Sequence, residues 1–429
     1  MKKVSMRSYC ALILAFLVLV FLGIYVGRYI KNGADWALYF DEATSSFSYS
    51  ITDRNGTALA TMGGGGRYYC DDAATRVACY HVVGDYAGNV GTGALQKYKK
   101  ELSNYSLIGG IEHREDEALA LTIDAELNKV AYNALNGRKG CVVLVNYKTG
   151  EIPCMVSSPS IDPLNVPAEL PDGAYINRAI SGAFTPGSIY KLITLTAALE
   201  TMPDIHEKTF ECNGSVDVLG VTVKCTGYHG DQTIEQALAN SCNCAFAELS
   251  LELGADVQAE YAEKLGITTS NKLDYIDSAR GQYVKDEYKS AALAWSGIGQ
   301  SEDLVCPYSM LRIVSAIANG GTLVEPSLIG KTDKTTQLLP ASIADEVKSM
   351  MSYNFVYKYG QNNFPGLDLC AKTGTAEVGE GKEPHGWFVG FLNDDAHPYA
   401  FVVLVENGGS GLGAAGSVAN TVLQAAVKK

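Results

Sequence analysis

Residues 185–196 of this chain read Thr-Pro-Gly-Ser-Ile-Tyr-Lys-Leu-Ile-Thr-Leu-Thr, and they contain the sequence's only Ser-x-x-Lys tetrad, Ser188 to Lys191. The Pro-Gly pair is typical of a turn, and the apolar run after it predicts a helix from Ser188 to Glu200. Residues three apart share a helix face, so the Lys191 amine should reach the Ser188 hydroxyl. An amine packed at an apolar helix start loses its proton more readily than an exposed lysine. Ser188 is therefore a candidate acyl-transfer nucleophile with Lys191 as its base, and the alternative is an ordinary helix with a surface lysine.

Two later motifs favour the catalytic interpretation. Ser241-Cys242-Asn243 follows Ser188, and Lys372-Thr373-Gly374 follows in turn within a segment that reads as a strand. The ordered set Ser-x-x-Lys, Ser-x-Asn, Lys-Thr-Gly is similar to the signature of the penicillin-recognising acyl-serine enzymes. A glycine at position 374 would let a ligand backbone approach the strand closely.

The chain also repeats two of these motifs. Lys148-Thr149-Gly150 lies between two apolar runs, precedes Ser188, and is predicted to be a hairpin turn that uses the backbone freedom of Gly150. Ser352-Tyr353-Asn354 comes out of order and is predicted to lie at a helix end or in a loop. Neither copy is expected to be functional.

Composition limits the possible functions. The chain has 429 residues, which suggests two or three domains, and 47% of them are hydrophobic, enough for a large core. Its 47 acidic and 34 basic residues give a net charge of −13, so no basic surface for nucleic acid is expected.

An apolar segment near the amino terminus predicts membrane attachment. Tyr9–Gly27 contains no charged residue and is long enough to span a bilayer as one helix. Lys2, Lys3 and Arg7 precede it, which favours a cytoplasmic amino terminus. A cleaved signal peptide is the competing interpretation, but no convincing cleavage site is visible. The chain after Lys31 is then expected to lie outside the cell membrane.

Eleven cysteines are too few for a disulfide scaffold in a chain of this length. Cys212 and Cys225 flank two short β-type runs and form the best candidate disulfide, with Cys70 and Cys79 as a weaker second pair. The alternative is that all the thiols are free and buried. The six histidines are scattered and there is no Cys-x-x-Cys pair, so no metal site and no cofactor are predicted.

The order of elements predicts an α+β fold. Residues 1–31 would form a cytoplasmic tail and transmembrane anchor, 32–117 a small pedestal region, and 118–429 the main domain. Strand patterns lie on both sides of a mainly helical segment, residues 233–320, and a helix closes the chain. This order indicates an antiparallel sheet packed between helices.

From about residue 51 to its end, the chain resembles the class B penicillin-binding proteins, which are membrane-anchored peptidoglycan transpeptidases. The resemblance extends beyond the three motifs to ITDRNGTALA, LTIDAELNKVAYNAL, GEIPCMVSSPSIDPLN, NRAISGAFTPGSIYKL, HGDQTIEQALANSCNCAFAEL and AKTGTAEV with HGWFVGF. It implies the serine β-lactamase/transpeptidase-like fold. The region between anchor and catalytic domain is short for this class.

The resemblance implies a role for each catalytic residue. Ser188 would attack the penultimate D-Ala carbonyl of a stem peptide ending in D-Ala-D-Ala, and Lys191 would accept its proton. Ser241 would relay a proton to the leaving D-Ala, and Asn243 would position the substrate amide and Lys191.

The resemblance also implies how substrate is held. Lys372 would supply positive charge for the terminal carboxylate beside the hydroxyls of Thr373 and Thr375, and Gly374 would keep the strand open to the substrate. The backbone N–H groups of Ser188 and Thr375 would form the oxyanion hole. The acyl-enzyme would pass to a second stem, and β-lactams would trap Ser188.

Three other functions use the same motifs. A D,D-carboxypeptidase would give the acyl group to water. A β-lactamase would need a hydrolytic-water motif, and no Glu-x-x-Leu-Asn follows Ser241. A β-lactam sensor would need a cytoplasmic effector, for which the amino-terminal tail is too short. The resemblance favours the transpeptidase and implies a polytopic glycan polymerase as its partner.

Overall fold

The computed structural model describes residues 2–44, 49–63, 66–103, 105–106, 110–111, 118–285 and 290–428. The α-helices are α1 (Lys2–Thr44), α2 (Ala73–Val83), α3 (Ala94–Lys97), α4 (Lys99–Ser103), α5 (Ala125–Leu135), α6 (Arg178–Ser181), α7 (Lys191–Thr201), α8 (Ile234–Ala239), α9 (Asn243–Lys264), α10 (Ala291–Ser296), α11 (Pro307–Ala318), α12 (Ala341–Asn354), α13 (Gly360–Asn363) and α14 (Ser417–Ala426).

The strands are β1 (Tyr49–Thr52), β2 (Ala58–Gly63), β3 (Gly66–Tyr69), β4 (Tyr105–Ser106), β5 (Gly110–Ile111), β6 (Ala118–Ala120), β7 (Gly140–Asn146), β8 (Cys154–Ser158), β9 (Phe210–Cys212), β10 (Ser215–Val218), β11 (Val221–Lys224), β12 (Gly230–Gln232), β13 (Lys272–Leu273), β14 (Ile276–Asp277), β15 (Thr322–Val324), β16 (Thr335–Gln337), β17 (Leu369–Ala376), β18 (His385–Leu392) and β19 (Tyr399–Val405). A 3-10 turn spans Gly187–Ile189, and π-helical turns span Phe355–Tyr359 and Gly411–Gly416.

Five antiparallel strands form the central sheet in the order β17-β18-β19-β7-β8. Its strands are rich in Val, Phe and Leu, and nearly all of their residues are buried because helices cover both faces. The predicted α+β fold, with an antiparallel sheet between helices, is confirmed.

Alternate residues of β7 enter two different cores. Val142 and Leu144 pack with α5 and α14 on one face, whereas Val143 and Val145 pack with α7, α9 and α11 on the other. This period-two alternation is what a strand with both faces buried requires. The second face carries the candidate active site.

Three strands of the predicted pedestal region, β1, β2 and β3, form a four-stranded sheet with β6 in the order β3-β2-β1-β6. β1 and β2 pair as an antiparallel hairpin, and Ile51 and Leu59 belong to the same core as one face of the central sheet. The predicted boundary at 117/118 lies just before β6, which pairs in parallel with β1, so this sheet takes strands from both sides of it.

The helix α1 contains the candidate membrane segment. The most apolar 18-residue window within Met6–Gly33 has a mean hydropathy of 2.8 and is not covered by other parts of the described chain, and Met6–Gly33 includes the predicted span Tyr9–Gly27. The helix continues to Thr44, beyond the predicted end of the anchor at Lys31.

Candidate active site

Ser188 lies in a tight turn between the central sheet and α7. The predicted helix from Ser188 begins instead with the 3-10 turn, and α7 starts at Lys191. Gly187 has a φ of +55°, and a Cβ there would lie 2.5 Å from the carbonyl oxygen of Thr375. Only glycine satisfies both requirements, so the residue before Ser188 is fixed by the close approach of β17. Ser188 itself is partly exposed.

Lys191 is fully buried, with all of its polar contacts directed to the other predicted catalytic residues. Its Nζ lies 3.1 Å from Ser188 Oγ and 3.3 Å from Ser241 Oγ. It donates to the carbonyl oxygen of Ser241 at 2.6 Å and to Asn243 Oδ1 at 2.7 Å. The structure therefore brings the four predicted catalytic residues to one point.

Burial of the Lys191 amine lowers its pKa to about 7, because the charged form has lost its hydration. At neutral pH a large share of this amine is therefore unprotonated, whereas an ordinary lysine is almost wholly charged. A neutral amine within hydrogen-bond distance of a serine hydroxyl can act as a general base.

Ser241 connects Lys191 to the third motif. Lys372 Nζ donates to Ser241 Oγ at 2.9 Å and to the carbonyl oxygen of Thr373 at 3.0 Å. Ser241 has a φ of +52°, an uncommon conformation for a residue with a side chain, so the surrounding contacts must hold it. Burial and then the charge of Lys191 lower the pKa of Lys372. A bound carboxylate would favour the charged form of Lys372 again.

The third motif lies on β17, the edge strand of the central sheet. A Cβ on Gly374 would lie 2.8 Å from the carbonyl oxygen of Pro186, so the serine turn packs directly on the backbone of this strand. The carbonyl of Thr375 points at Gly187. Because the N–H and C=O of one residue in an antiparallel strand point to the same side, the Thr375 N–H also faces the serine turn. This is the orientation that an oxyanion-hole donor needs.

Sequence reasoning missed Tyr359. Its hydroxyl accepts a hydrogen bond from the backbone N–H of Thr373 at 2.9 Å and lies 3.2 Å from Thr373 Oγ1. Burial raises the pKa of this phenol, so it stays neutral. It lies 14 residues before Thr373, in a π-helical turn with no recognisable motif, so the sequence carries no signal for it.

The two repeated motifs form the turn and the helix end that were predicted for them. Lys148-Thr149-Gly150 forms the turn between β7 and β8, where Lys148 is exposed and Gly150 has a φ of +77°. Ser352-Tyr353-Asn354 ends α12, and Asn354 Nδ2 donates to the carbonyl oxygen of Ala371.

The predicted disulfide between Cys212 and Cys225 is not present, and both residues are free cysteines. The two residues belong to different pairs of strands, although their sulfur atoms lie within 4.8 Å of each other. Cys212 pairs with Gly230 across β9 and β12, whereas Cys225 follows β11 and donates its N–H to the carbonyl oxygen of Gly214. Cys70 and Cys79, the weaker candidate pair, are also free.

Residues 140–427 match the family of the penicillin-binding protein transpeptidase domain. The chain belongs to this family. Among curated relatives, it is 29% identical over 357 residues to the peptidoglycan D,D-transpeptidase PbpA of Mycobacterium tuberculosis, covering 72% of each chain.

Solved structures agree with this assignment. The D,D-transpeptidase domain of a peptidoglycan glycosyltransferase from Eggerthella lenta matches with a TM-score of 0.74 and 25% identity, over 90% of this chain and 99% of that one. The imipenem acyl-enzyme of penicillin-binding protein A from M. tuberculosis gives the same TM-score, identity and coverage. Family membership accounts for the fold and for the order of the three motifs.

Proposed function

We propose that this protein is a peptidoglycan D,D-transpeptidase that crosslinks stem peptides through an acyl-enzyme on Ser188 and is acylated there by β-lactams. The observation that carries the proposal is the buried Lys191 amine, whose pKa is lowered to about 7, at 3.1 Å from the Ser188 hydroxyl. Membership of the transpeptidase family and the similarity to named D,D-transpeptidases support the choice of substrate.

Acylation begins when Ser188 Oγ attacks the carbonyl of the penultimate D-Ala and its proton moves to Lys191 Nζ. The oxyanion that forms is stabilised by the N–H groups of Ser188 and Thr375, and removing one such donor typically costs about 10²–10³ in rate. Lys372, beside the Thr373 and Thr375 hydroxyls, holds the terminal carboxylate of the substrate.

The tetrahedral intermediate then expels the terminal D-Ala. Its leaving amine needs a proton, which Lys191 returns through the hydroxyl of Ser241, since Ser241 Oγ lies 3.3 Å from the Lys191 amine. Asn243 Oδ1 accepts from Lys191 and keeps the amine aimed at the reacting groups. Attack on the Ser188 ester by the amine of a second stem, with Lys191 again as base, forms the crosslink and frees Ser188.

The protein acts at the outer face of the cell membrane in this proposal. The apolar span Met6–Gly33 would anchor it, and Lys2, Lys3 and Arg7 favour a cytoplasmic amino terminus. The substrate is then the nascent glycan, so a membrane-embedded glycan polymerase is the expected partner.

The covalent step can be tested with a fluorescent penicillin and the full-length protein in detergent. We expect a single labelled serine, Ser188, with no label on the Ser188→Ala variant. Ser301→Ala is a matched control because Ser301 is an exposed serine outside the three motifs, and it should label normally. Labelling that persists without Ser188 contradicts the assignment.

The acceptor is tested by supplying lipid-linked peptidoglycan precursor and a glycan polymerase. A transpeptidase holds a second stem near the ester, which contributes several kcal/mol by replacing a bimolecular encounter, so crosslinked dimers are expected. Penicillin and Ser188→Ala should each abolish them. Shortened stems and free D-Ala, without dimers, would instead identify a D,D-carboxypeptidase.

A further inference from the structure

Four potential metal ligands meet directly behind the Ser-x-Asn motif. They are Cys212 at the end of β9, Cys225 after β11, His229 before β12, and Cys242, which is the middle residue of the motif. One ligand atom from each lies within 4.8 Å of the others. Cys212 and Cys242 are buried and the other two are half-buried, so the cluster is largely shielded from solvent.

The spacing matches a tetrahedral site. With Zn–S bonds of about 2.3 Å, two sulfur ligands of one zinc ion lie about 3.8 Å apart, and a sulfur and a nitrogen ligand slightly closer. Cys225 Sγ lies 3.8 Å from Cys242 Sγ and 3.6 Å from His229 Nδ1. Three thiolates and one imidazole form one of the common ligand sets of structural zinc.

The cluster is connected to the catalytic residues through the backbone. Asn243 donates its N–H to Cys225 Sγ at 3.3 Å and its Nδ2 to the carbonyl oxygen of Lys224 at 2.9 Å. The other end of the same amide accepts from Lys191. Ser241, whose φ is positive, adjoins Cys242 on the other side. Fixing Cys242 and Cys225 relative to each other therefore fixes both motif residues that contact Lys191.

We propose that Cys212, Cys225, His229 and Cys242 bind one Zn²⁺ ion, which holds Ser241 and Asn243 in their positions against Lys191. Binding forms three Zn–S bonds and one Zn–N bond, and the three thiols lose their protons to solvent. The zinc contacts neither Ser188 nor the substrate, so the four ligands are positioning residues. The metal crosslinks three segments of the chain that are otherwise held by the short strands β9 to β12.

The site is tested first by metal content, which does not depend on activity. Full-length protein purified in detergent without chelators should contain one zinc per chain. His229→Ala and Cys225→Ser should each lower the occupancy more than tenfold. The matched controls His206→Ala and Cys70→Ser change an exposed histidine and a half-buried cysteine outside the cluster, and both should retain zinc.

Co²⁺ exchanged into the same protein should show the visible absorption of tetrahedral cobalt and sulfur-to-cobalt charge transfer, and His229→Ala should lose or weaken both. Because His229 is half-buried, its variant is expected to fold, and normal circular dichroism would verify this. Three results would overturn the site. The wild-type protein could bind neither Zn²⁺ nor Co²⁺, or protein purified without metal exchange could contain a Cys225–Cys242 disulfide. The third is unchanged zinc occupancy in both cluster variants.

The positioning role is tested by removing zinc from the wild type with a chelator. Fluorescent-penicillin acylation of Ser188 should fall at least tenfold and recover when Zn²⁺ is returned, whereas Mg²⁺ should not restore it. Zinc removal with no change in acylation would overturn the positioning role. Wild-type protein that binds zinc but never acylates would refute the proposed function and leave the metal site standing.

Discussion

The tripeptide Lys-Thr-Gly occurs twice in this chain, and the two copies differ in exposure, in secondary structure and in hydrogen-bond partners. Lys148 is exposed at the turn between β7 and β8, and its Nζ donates to Asn319 Oδ1. Lys372 is 1% exposed on the edge strand β17, and its Nζ donates to Ser241 Oγ. The motif can take part in catalysis only in the second copy, where the edge strand brings Lys372 to Ser241. Ser241 also contacts the buried amine of Lys191.

The glycines of the two copies differ as well. Gly150 has a φ of +77°, so the turn requires its left-handed conformation. Gly374 has an ordinary strand conformation and is needed because Pro186 and Ile189 pack on its backbone. One glycine serves local chain geometry and the other serves close approach between the strand and the serine turn.

The largest effect is expected from substituting Lys191, the buried amine that lies beside Ser241. Lys191→Arg keeps a positive charge, but a guanidinium does not deprotonate near neutral pH. Penicillin acylation should fall by about 10³ or more, a size consistent with the loss of a general base and its positioning. Stopped-flow measurement of the acylation rate checks this.

Lys148→Arg is the matched control for that variant and should acylate at the normal rate. A Lys191→Arg rate within tenfold of the wild type would mean that Lys191 is structural and that the buried cluster has another base.

The second prediction compares the two lysines directly. Lys372→Ala should lower acylation by carboxylate-bearing β-lactams about 10²-fold, because a buried charge-assisted hydrogen bond is lost. Lys148→Ala should change it less than twofold. Equal losses of acylation rate in the two variants would contradict this prediction, since they would show that the exposed turn also acts on the ligand.

The third prediction concerns pH. The pKa of Lys191 is lowered to about 7, and its neutral form is the base, so activity belongs to the deprotonated state above that pH. Acylation by penicillin should therefore rise about tenfold per pH unit below 7 and level off above it. Lys148→Ala should give the same profile. A rate that is flat between pH 5 and 8 would contradict the assignment of Lys191 as base.

Local sequence was sufficient for much of the site because each motif carries its own geometry. Ser188 and Lys191 lie three residues apart at a helix start, and this spacing predicts their contact whether the first turn is α or 3-10. The strands of the central sheet were predictable from their long apolar runs. The meeting of Ser241 with Lys372, 131 residues later, was expected only from the family resemblance.

Contacts that depend on several short elements were not predictable. The cluster of Cys212, Cys225, His229 and Cys242 is assembled by strands of three or four residues, so its ligands have no fixed local spacing. Searching for Cys-x-x-Cys could not find it, and the pairing of Cys212 with Cys225 considered only the two β-type runs between them, not the segments that bring His229 and Cys242 to the same point. Tyr359 was missed for the same reason, since a π-helical turn places its hydroxyl at Thr373.

The last and smallest expected effect distinguishes substitution of Gly150 from substitution of Gly374. Gly150→Ala places a side chain at positive φ, with its Cβ 2.5 Å from the carbonyl oxygen of Glu325, so the fold should lose about 1–3 kcal/mol of stability. This loss should appear as a lower unfolding temperature, while the acylation rate of the folded protein stays within twofold.

Gly374→Ala should instead act mainly on the acylation rate, because its Cβ would lie 2.8 Å from the carbonyl oxygen of Pro186 and would move β17 away from Ser188. We expect a slower acylation rate there with a smaller change in unfolding temperature. If Gly150→Ala slows acylation more than Gly374→Ala does, the turn and not the edge strand would be controlling the serine.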